Sequence, residues 1–182
     1  MLLLYATGLR VHEAISLNRA DVDLAACVLT VRHTKFYKSR LVPFGAQLRD
    51  VLVRYAASRP TATGAAAEPA PFFTTRSGAR VTQHALEDRF RRICELAGVR
   101  RSDGARYQPR LHDLRHTFAV HRLTSWYRQG ADVQRLLPQL SVYLGHVYLS
   151  STQVYLSMTP ELLQEAGARF EKYAHQESDD GR

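Results

Sequence analysis

Four stretches of this chain combine residue types that do chemistry. In Thr7-Gly8-Leu9-Arg10-Val11-His12-Glu13-Ala14, Arg10 follows closely on a glycine, and Glu13 lies three residues further on. One helical turn brings that arginine and carboxylate together. Taken alone, the pair reads as a surface ion pair. The segment from Arg32 to Arg40 carries Lys35, Lys38 and Arg40 between two apolar runs. It reads equally as a cationic contact surface or as a solvated edge that discourages sheet aggregation. In Leu111-His112-Asp113-Leu114-Arg115-His116-Thr117-Phe118, His112 and Arg115 stand at i, i+3 on a largely apolar helix. An arginine in such surroundings asks for an anion. His112, His116 and His121 also recur at four- and five-residue spacing, which raises a metal site. Arg115 between two such ligands would repel the cation, so no metal is expected, and His116 reads as a hydrogen-bonded core histidine. The fourth stretch, Leu144 to Tyr155, places one of the nine tyrosines nine residues after His146, at a Ser/Thr-capped helix start.

Together these fragments form a cationic set, Arg10, Arg115, His112, His146 and Lys35, suited to a phosphodiester and the charge that develops on it. Only Glu13 and Asp113 lie near the motifs. Two-metal phosphoryl transfer needs acids to hold its ions, so the chemistry implied is metal-independent, with a tyrosine as covalent nucleophile. The overall charge agrees. Lys and Arg number 25 against 17 Asp and Glu, a formal +8, which favours nucleic acid first and an acidic membrane surface second. Cys27 and Cys94 are too few for a disulfide scaffold and lack metal-ligand spacing, which points to a reducing compartment. No run approaches 18 apolar residues, and the opening Met-Leu-Leu-Leu-Tyr is too short for a secretory signal. A soluble, basic, intracellular domain is expected.

The elements that must position these residues follow from pattern. With 182 residues, 45% of them hydrophobic, the chain can build one real core. Leu2–Ala6 reads as the end of an apolar helix stopped at Gly8, and a short helix follows over Val11–Leu17. Cys27–Val31 and Leu41–Pro43 read as the arms of a β-hairpin whose tip carries the lysines. Leu48, Leu52 and Tyr55 mark a helix over Ala46–Ser58. Arg59–Pro71, rich in Ala, Pro, Thr and Gly, is the best internal linker candidate. Phe72–Thr74 reads as a brief strand. Thr82 caps a helix with Leu86, Phe90 and Ile93 on one stripe. A long helix from about His112 to Gln129 closes at Gly130, two short helices lead to Gly145, another begins near Ser151, and a last one spans Pro160–Tyr173. The fold class expected is mainly α with a small antiparallel β-sheet.

The chain resembles the catalytic domain of the tyrosine recombinases, the phage-integrase family. Arg10 with Glu13 looks like the family's first box and Lys35 like its hairpin lysine, followed by Lys38-Ser39-Arg40-Leu41-Val42-Pro43. His112-x-x-Arg115 is similar to the second box, and Leu144-Gly145-His146 with Tyr155 to the third. Any one box is weak, but four in order through the whole chain are strong. The stretch from Trp126 to Val147 looks like recombinases carried by transposons.

The resemblance implies a DNA breaking-rejoining enzyme working through a 3′-phosphotyrosyl intermediate, without metal, ATP or other cofactor. Tyr155 would attack the scissile phosphate. Arg10 and Arg115 would hold its non-bridging oxygens, and Lys35 would protonate the leaving 5′-oxygen. His112 would assist as base or phosphate donor, His146 would hydrogen-bond the phosphate, and Glu13 would support the geometry, with Lys38 and Arg40 contacting DNA. Residues 1–175 would form the catalytic domain, opening partway through its first helix without the family's upstream clamp domain, and 176–182 a disordered tail. The implied partner is double-stranded DNA, bound as a homo-oligomer, a tetramer assembled through the C-terminal helix, in the cytoplasm at the nucleoid and away from membranes. Two other readings stay open: a remnant that binds DNA without completing recombination, and a type IB topoisomerase-like enzyme.

Overall fold

The computed structural model describes residues 1–32, 39–59, 69–104, 107–157, 164 and 167–168. The chain divides into two compact units, Met1–Arg115 and His116–Arg182.

In the first unit, α1 (Leu2–Thr7) ends at Gly8, whose φ of 63° is the left-handed conformation a glycine adopts freely. The Thr7 hydroxyl donates back to the Leu3 carbonyl, so even the polar residue of this apolar turn is satisfied. After two extended residues the chain re-enters helix at α2 (Val11–Ser16), followed by a 3-10 turn over Arg19–Asp21. A three-stranded antiparallel sheet, β1 (Val22–Asp23), β2 (Val28–Val31) and β3 (Arg40–Pro43), runs in the order β1-β2-β3. Leu29 pairs with Val42 and Val31 with Arg40. Leu29, Val31 and Val42 are all buried, so the sheet has one inward face. The hairpin expectation holds for both arms, while its tip, with Lys35 and Lys38, lies outside the described residues. β1 was not foreseen, because two residues carry no periodic signal.

Helix α3 (Ala46–Ala57) buries Leu48 and Leu52, and α1 packs on both α2 and α3. The linker candidate falls mostly outside the described residues, and the first unit continues across it to Arg115. Its far end is pinned: the Arg19 amide donates to the Ala70 carbonyl and the Phe72 amide to the Leu17 carbonyl. In place of the expected strand Phe72–Thr74 there are isolated bridges at its flanks, Asn18 with Pro71 and Thr74 with Arg80. What fixes it is aromatic, since the rings of Tyr55, Phe72 and Phe73 lie 5.0–5.8 Å apart and the Tyr55 hydroxyl accepts from the Thr74 amide. Arg80 reaches back to the Ile15 and Leu17 carbonyls and to the Asn18 side chain, closing the end of α2. Thr82 caps α4 (Gln83–Leu96) as expected, accepting from the Ala85 amide. The stripe on α4 is only partly covered: Leu86 and Phe90 are half-buried, but Ile93 is exposed.

The boundary between the units falls within α5 (Asp113–Arg128), between Arg115 and His116. In the second unit Phe118, Ala119 and Leu123 of α5 meet Val133, Leu137, Leu140 and Leu144 of α6 and Tyr155 in one core. α6 (Val133–Leu144) replaces the two short helices expected before Gly145. It runs straight through Pro138 although proline forgoes one backbone hydrogen bond. Its buried residues, Val133, Leu137, Leu140, Ser141 and Leu144, recur at helical spacing on both sides of the proline, and that continuous apolar face outweighs the lost bond. Two short helical turns follow, α7 (Ser150–Gln153) and a 3-10 turn over Val154–Ser157. Most of the expected helix Pro160–Tyr173 lies outside the described residues.

Candidate active site

Within the first unit Arg10 occupies the position before α2, in extended backbone. The Glu13 carboxylate folds back onto it twice: one oxygen accepts from the Arg10 amide at 2.9 Å and the other from its guanidinium at 3.0 Å. This is the reciprocal logic of a helix N-terminus, where an acid three residues in satisfies an otherwise unpaired amide. The same carboxylate takes Arg40 in a two-pronged grip at 2.9 and 2.8 Å. Glu13 and Arg40 are nearly buried, whereas the Arg10 side chain is 40% exposed. Burial pushes the Glu13 carboxyl up, but hydrogen bonds from Arg40 and the Arg10 amide, with both guanidinium charges, hold it below the ordinary carboxylate value.

Arg40 is therefore occupied in a way the sequence reading passed over. In β3, side chains alternate between faces, so Arg40 shares a face with Val42, which is fully buried, while Leu41 is 65% exposed. That alternation was visible in Arg40-Leu41-Val42. A cation on the inward face needs a carboxylate, and Glu13 is the one it meets.

Arg115 is buried, and its guanidinium donates to the Gly8 carbonyl at 2.7 Å. The left-handed turn that ends α1 thus carries an anchor for Arg115 two residues before Arg10. His112 is exposed and shares with Arg10 a cavity of about 980 Å³, also lined by His12, Arg91, Tyr107 and Arg110. The Arg110 amide and guanidinium both reach Asp113, fixing the entry to α5. The second box thus opens on an exposed histidine and closes, three residues on, with a buried arginine.

In the second unit Gly145, at φ 69°, closes α6 with paired bonds, its own amide to the Val142 carbonyl and that of His146 to the Ser141 carbonyl. This motif demands a left-handed residue, which is why glycine stands between Leu144 and His146. Leu144 stays in the core and His146 emerges directly after the turn. The His146 ring stacks on Tyr155, centroids 6.1 Å apart at 21°, and its Nδ1 lies 2.7 Å from the Thr152 hydroxyl. His116 meets the same tyrosine edge-on at 5.3 Å. Tyr155 is 3% exposed, in contrast to Tyr148 at 70%.

The first unit thus brings together Arg10, Glu13 and Arg40, with Arg115 anchored at the adjoining turn. The second brings together His146, Tyr155, His116 and Thr152. Thr152 and the partnership of Arg40 with Glu13 were missed by sequence reasoning. Among the described residues no group of three or more His, Cys, Asp or Glu is arranged to hold a metal ion, and no helix is long and apolar enough to cross a membrane.

Known proteins share this arrangement of sequence and fold. An integrase/recombinase of Sinorhizobium fredii, y4rB, is 44% identical over 170 residues, which is 93% of this chain and 54% of that protein. The solved structure of XerA recombinase superposes with a TM-score of 0.72 at 26% identity, over 92% of this chain and 54% of that one. XerH site-specific recombinase, bound to difH substrate in a pre-cleavage complex, gives a TM-score of 0.64 at 26% identity, over 93% of this chain and 45% of that one. The chain spans about half the length of the relatives it matches. The family model for phage integrases matches residues 1–161, the stretch that carries every one of the boxes described above, and the chain belongs to that family, the tyrosine recombinases.

Proposed function

We propose that this chain is the catalytic domain of a site-specific DNA recombinase, with residues 1–175 acting as that domain. The observation that carries the reading is the pairing of His146 with Tyr155: a phenol stacked on an imidazole, in a family whose chemistry is tyrosine-based strand breakage. The chemistry balances without a cofactor. The Tyr155 oxygen attacks phosphorus, a 3′-phosphotyrosyl ester forms, and the P–O5′ bond breaks. The phenolic proton passes to His112, and Lys35 protonates the departing 5′-oxygen. Arg10 and Arg115 hold the non-bridging oxygens as charge builds, and His146 donates a hydrogen bond to one of them. Rejoining is the reverse, so the ester conserves the bond energy. Glu13 keeps Arg10 in place, and Arg40 holds Glu13. Lys38 contacts the DNA backbone.

The substrate proposed is double-stranded DNA, in keeping with the +8 charge and with XerH, a site-specific recombinase, having been solved bound to its difH substrate. Assembly as a homo-oligomer on DNA through Pro160–Tyr173, action at the nucleoid and carriage by a mobile element belong to the same proposal. The test is a nicked duplex bearing a candidate site, incubated with the chain and denatured. A protein–DNA adduct that survives denaturation, and disappears in Tyr155→Phe, is the expected result. DNA binding without any adduct would favour the binding-only remnant. Relaxation of supercoiled DNA without exchange of partners would favour the topoisomerase-like reading.

A further inference from the structure

Glu13 has two tasks at the start of α2, and only one of them needs a charge. It accepts the Arg10 amide, which a glutamine at the same place could do as well. It also lies 3.0 Å from the Arg10 guanidinium. A unit negative charge at that range offsets much of the field that the guanidinium presents to an anion. Arg10 is 40% exposed and lines the cavity it shares with His112, so that field bears on whatever enters there. The carboxylate that aims Arg10 therefore also works to cancel it.

Arg40 changes this balance. From β3 its guanidinium meets both Glu13 oxygens, at 2.9 and 2.8 Å, whereas the Arg10 guanidinium meets one of them. Paired charge-assisted bonds of this kind are strong and directional. The Arg40 and Glu13 side chains are 11% and 9% exposed, so water and salt screen the pair little. Burial pushes the Glu13 carboxyl up, and the Arg40 hydrogen bond leads the influences that hold it ionised, ahead of the Arg10 amide and both guanidinium charges. Two guanidiniums against one carboxylate leave one positive charge in excess. Arg10, and not Arg40, is the member that lines the cavity.

We infer that Arg40 is a positioning residue whose charge neutralises Glu13, so that Arg10 is aimed by a carboxylate yet stays cationic towards the cavity. The site thus depends on the charge of Arg40 as well as on its hydrogen bonds. The neutralisation follows from the cluster itself. Its use in strand cleavage rests on the proposed recombinase reading, and the two are tested separately.

The first arm needs neither DNA nor activity. Denaturant midpoints of the full chain at pH 7 are compared for Arg40→Met, Glu13→Gln and the double variant. Each single change strands a charge that the double variant removes, so the double variant should unfold at a higher denaturant concentration than either single one. Strictly additive losses would overturn the inference. The second arm is binding to a random duplex over a range of salt, where each phosphate contact contributes about 0.9 to the slope of log K against log salt. Arg40→Met should lose about one contact, because Glu13 then cancels Arg10. The double variant has the wild-type net charge, and its slope should return to the wild-type value. A slope still short by one contact there would mean that Arg40 touches DNA itself, and a wild-type slope in Arg40→Met would mean that its charge is not needed. Either result overturns the inference. The third arm is adduct formation on the nicked duplex at saturating DNA. Arg40→Met should slow it about tenfold, the loss of one charge interaction at the transition state, and the double variant should recover most of that rate. A purely structural Arg40 would leave the double variant as slow as the single one. Should Arg40→Met fail to fold, the slope and rate of the double variant decide alone. Absence of binding or adduct in the wild type would sink the recombinase reading and leave the neutralisation to be decided by the midpoints.

Discussion

In the first unit a single carboxylate organises Arg10 and Arg40. Glu13 receives the Arg10 amide, the Arg10 guanidinium and both prongs of Arg40. In the second unit the imidazole and the phenol are organised by packing, with Tyr155 inside a core of Phe118, Leu123, Leu137 and Leu140. Under the proposed function the contrast fits what each set would do. In that function Arg10, 40% exposed, meets the phosphate and is aimed by counter-charge, while Arg115 is buried and aimed by the Gly8 carbonyl. Tyr155, the proposed nucleophile, is 3% exposed and is aimed by burial. Charge-aimed groups answer to pH and to each partner's charge, whereas packing-aimed groups answer to volume.

The sharpest break in this comparison is Tyr155→Phe, which removes the hydroxyl and leaves the ring. Covalent adduct should vanish while the melting temperature stays nearly unchanged. An adduct that persisted and mapped to Tyr148 or Tyr143 would show that the buried ring is a core residue and nothing more. Next comes Arg115→Ala. It deletes the proposed donor to the phosphate and removes the guanidinium that bonds the Gly8 carbonyl, so single-turnover cleavage should fall about 10²–10³-fold, the usual loss for such a donor.

Glu13→Gln attacks the charge-aimed unit without changing shape. Arg40 is left nearly buried without its counter-charge, and the expected loss is about 3 kcal/mol in chemical denaturation. The pH dependence has a definite sign. Because the folded-state carboxyl lies below its ordinary value of 4.5, its stabilisation is complete above that pH and is lost as pH falls through the folded value. The wild type should therefore lose more stability than Glu13→Gln between about pH 5 and pH 3. Equal acid sensitivity would mean that the carboxylate does not organise the cluster. Leu140→Ala attacks the other unit through volume, at a cost of about 2–5 kcal/mol. Its loss, followed by thermal melting, should be the same at pH 5 and pH 7. A pH-dependent loss there would blur the distinction between the two units.

What the sequence made legible follows the same division. Helix ends were readable wherever a residue has one local job: Gly8 and Gly145 in the left-handed region, Thr82 as a cap. The His146–Tyr155 pairing was readable too, because both lie in one short stretch closed by such signals. Long-range choices were less visible. The stretch before Gly145 was read as two short helices, whereas the buried stripe from Val133 to Leu144 carries one helix through Pro138. Arg40 was read as a surface cation from its type, although its alternation with Val42 put it inside. Thr152 drew no notice because a threonine in a Ser/Thr-rich helix start is the commonest of residues, and only its distance from His146 sets it apart.

Trp126 is the chain's one tryptophan, and it packs against the core that holds Tyr155. Indole fluorescence therefore watches the second unit alone, while circular dichroism sums the helices of both. Followed through one denaturant titration, the two signals form a built-in gauge of cooperativity. Coincident curves would make the chain a single thermodynamic block, and separated curves would mean that the charge-aimed and packing-aimed halves melt on their own terms.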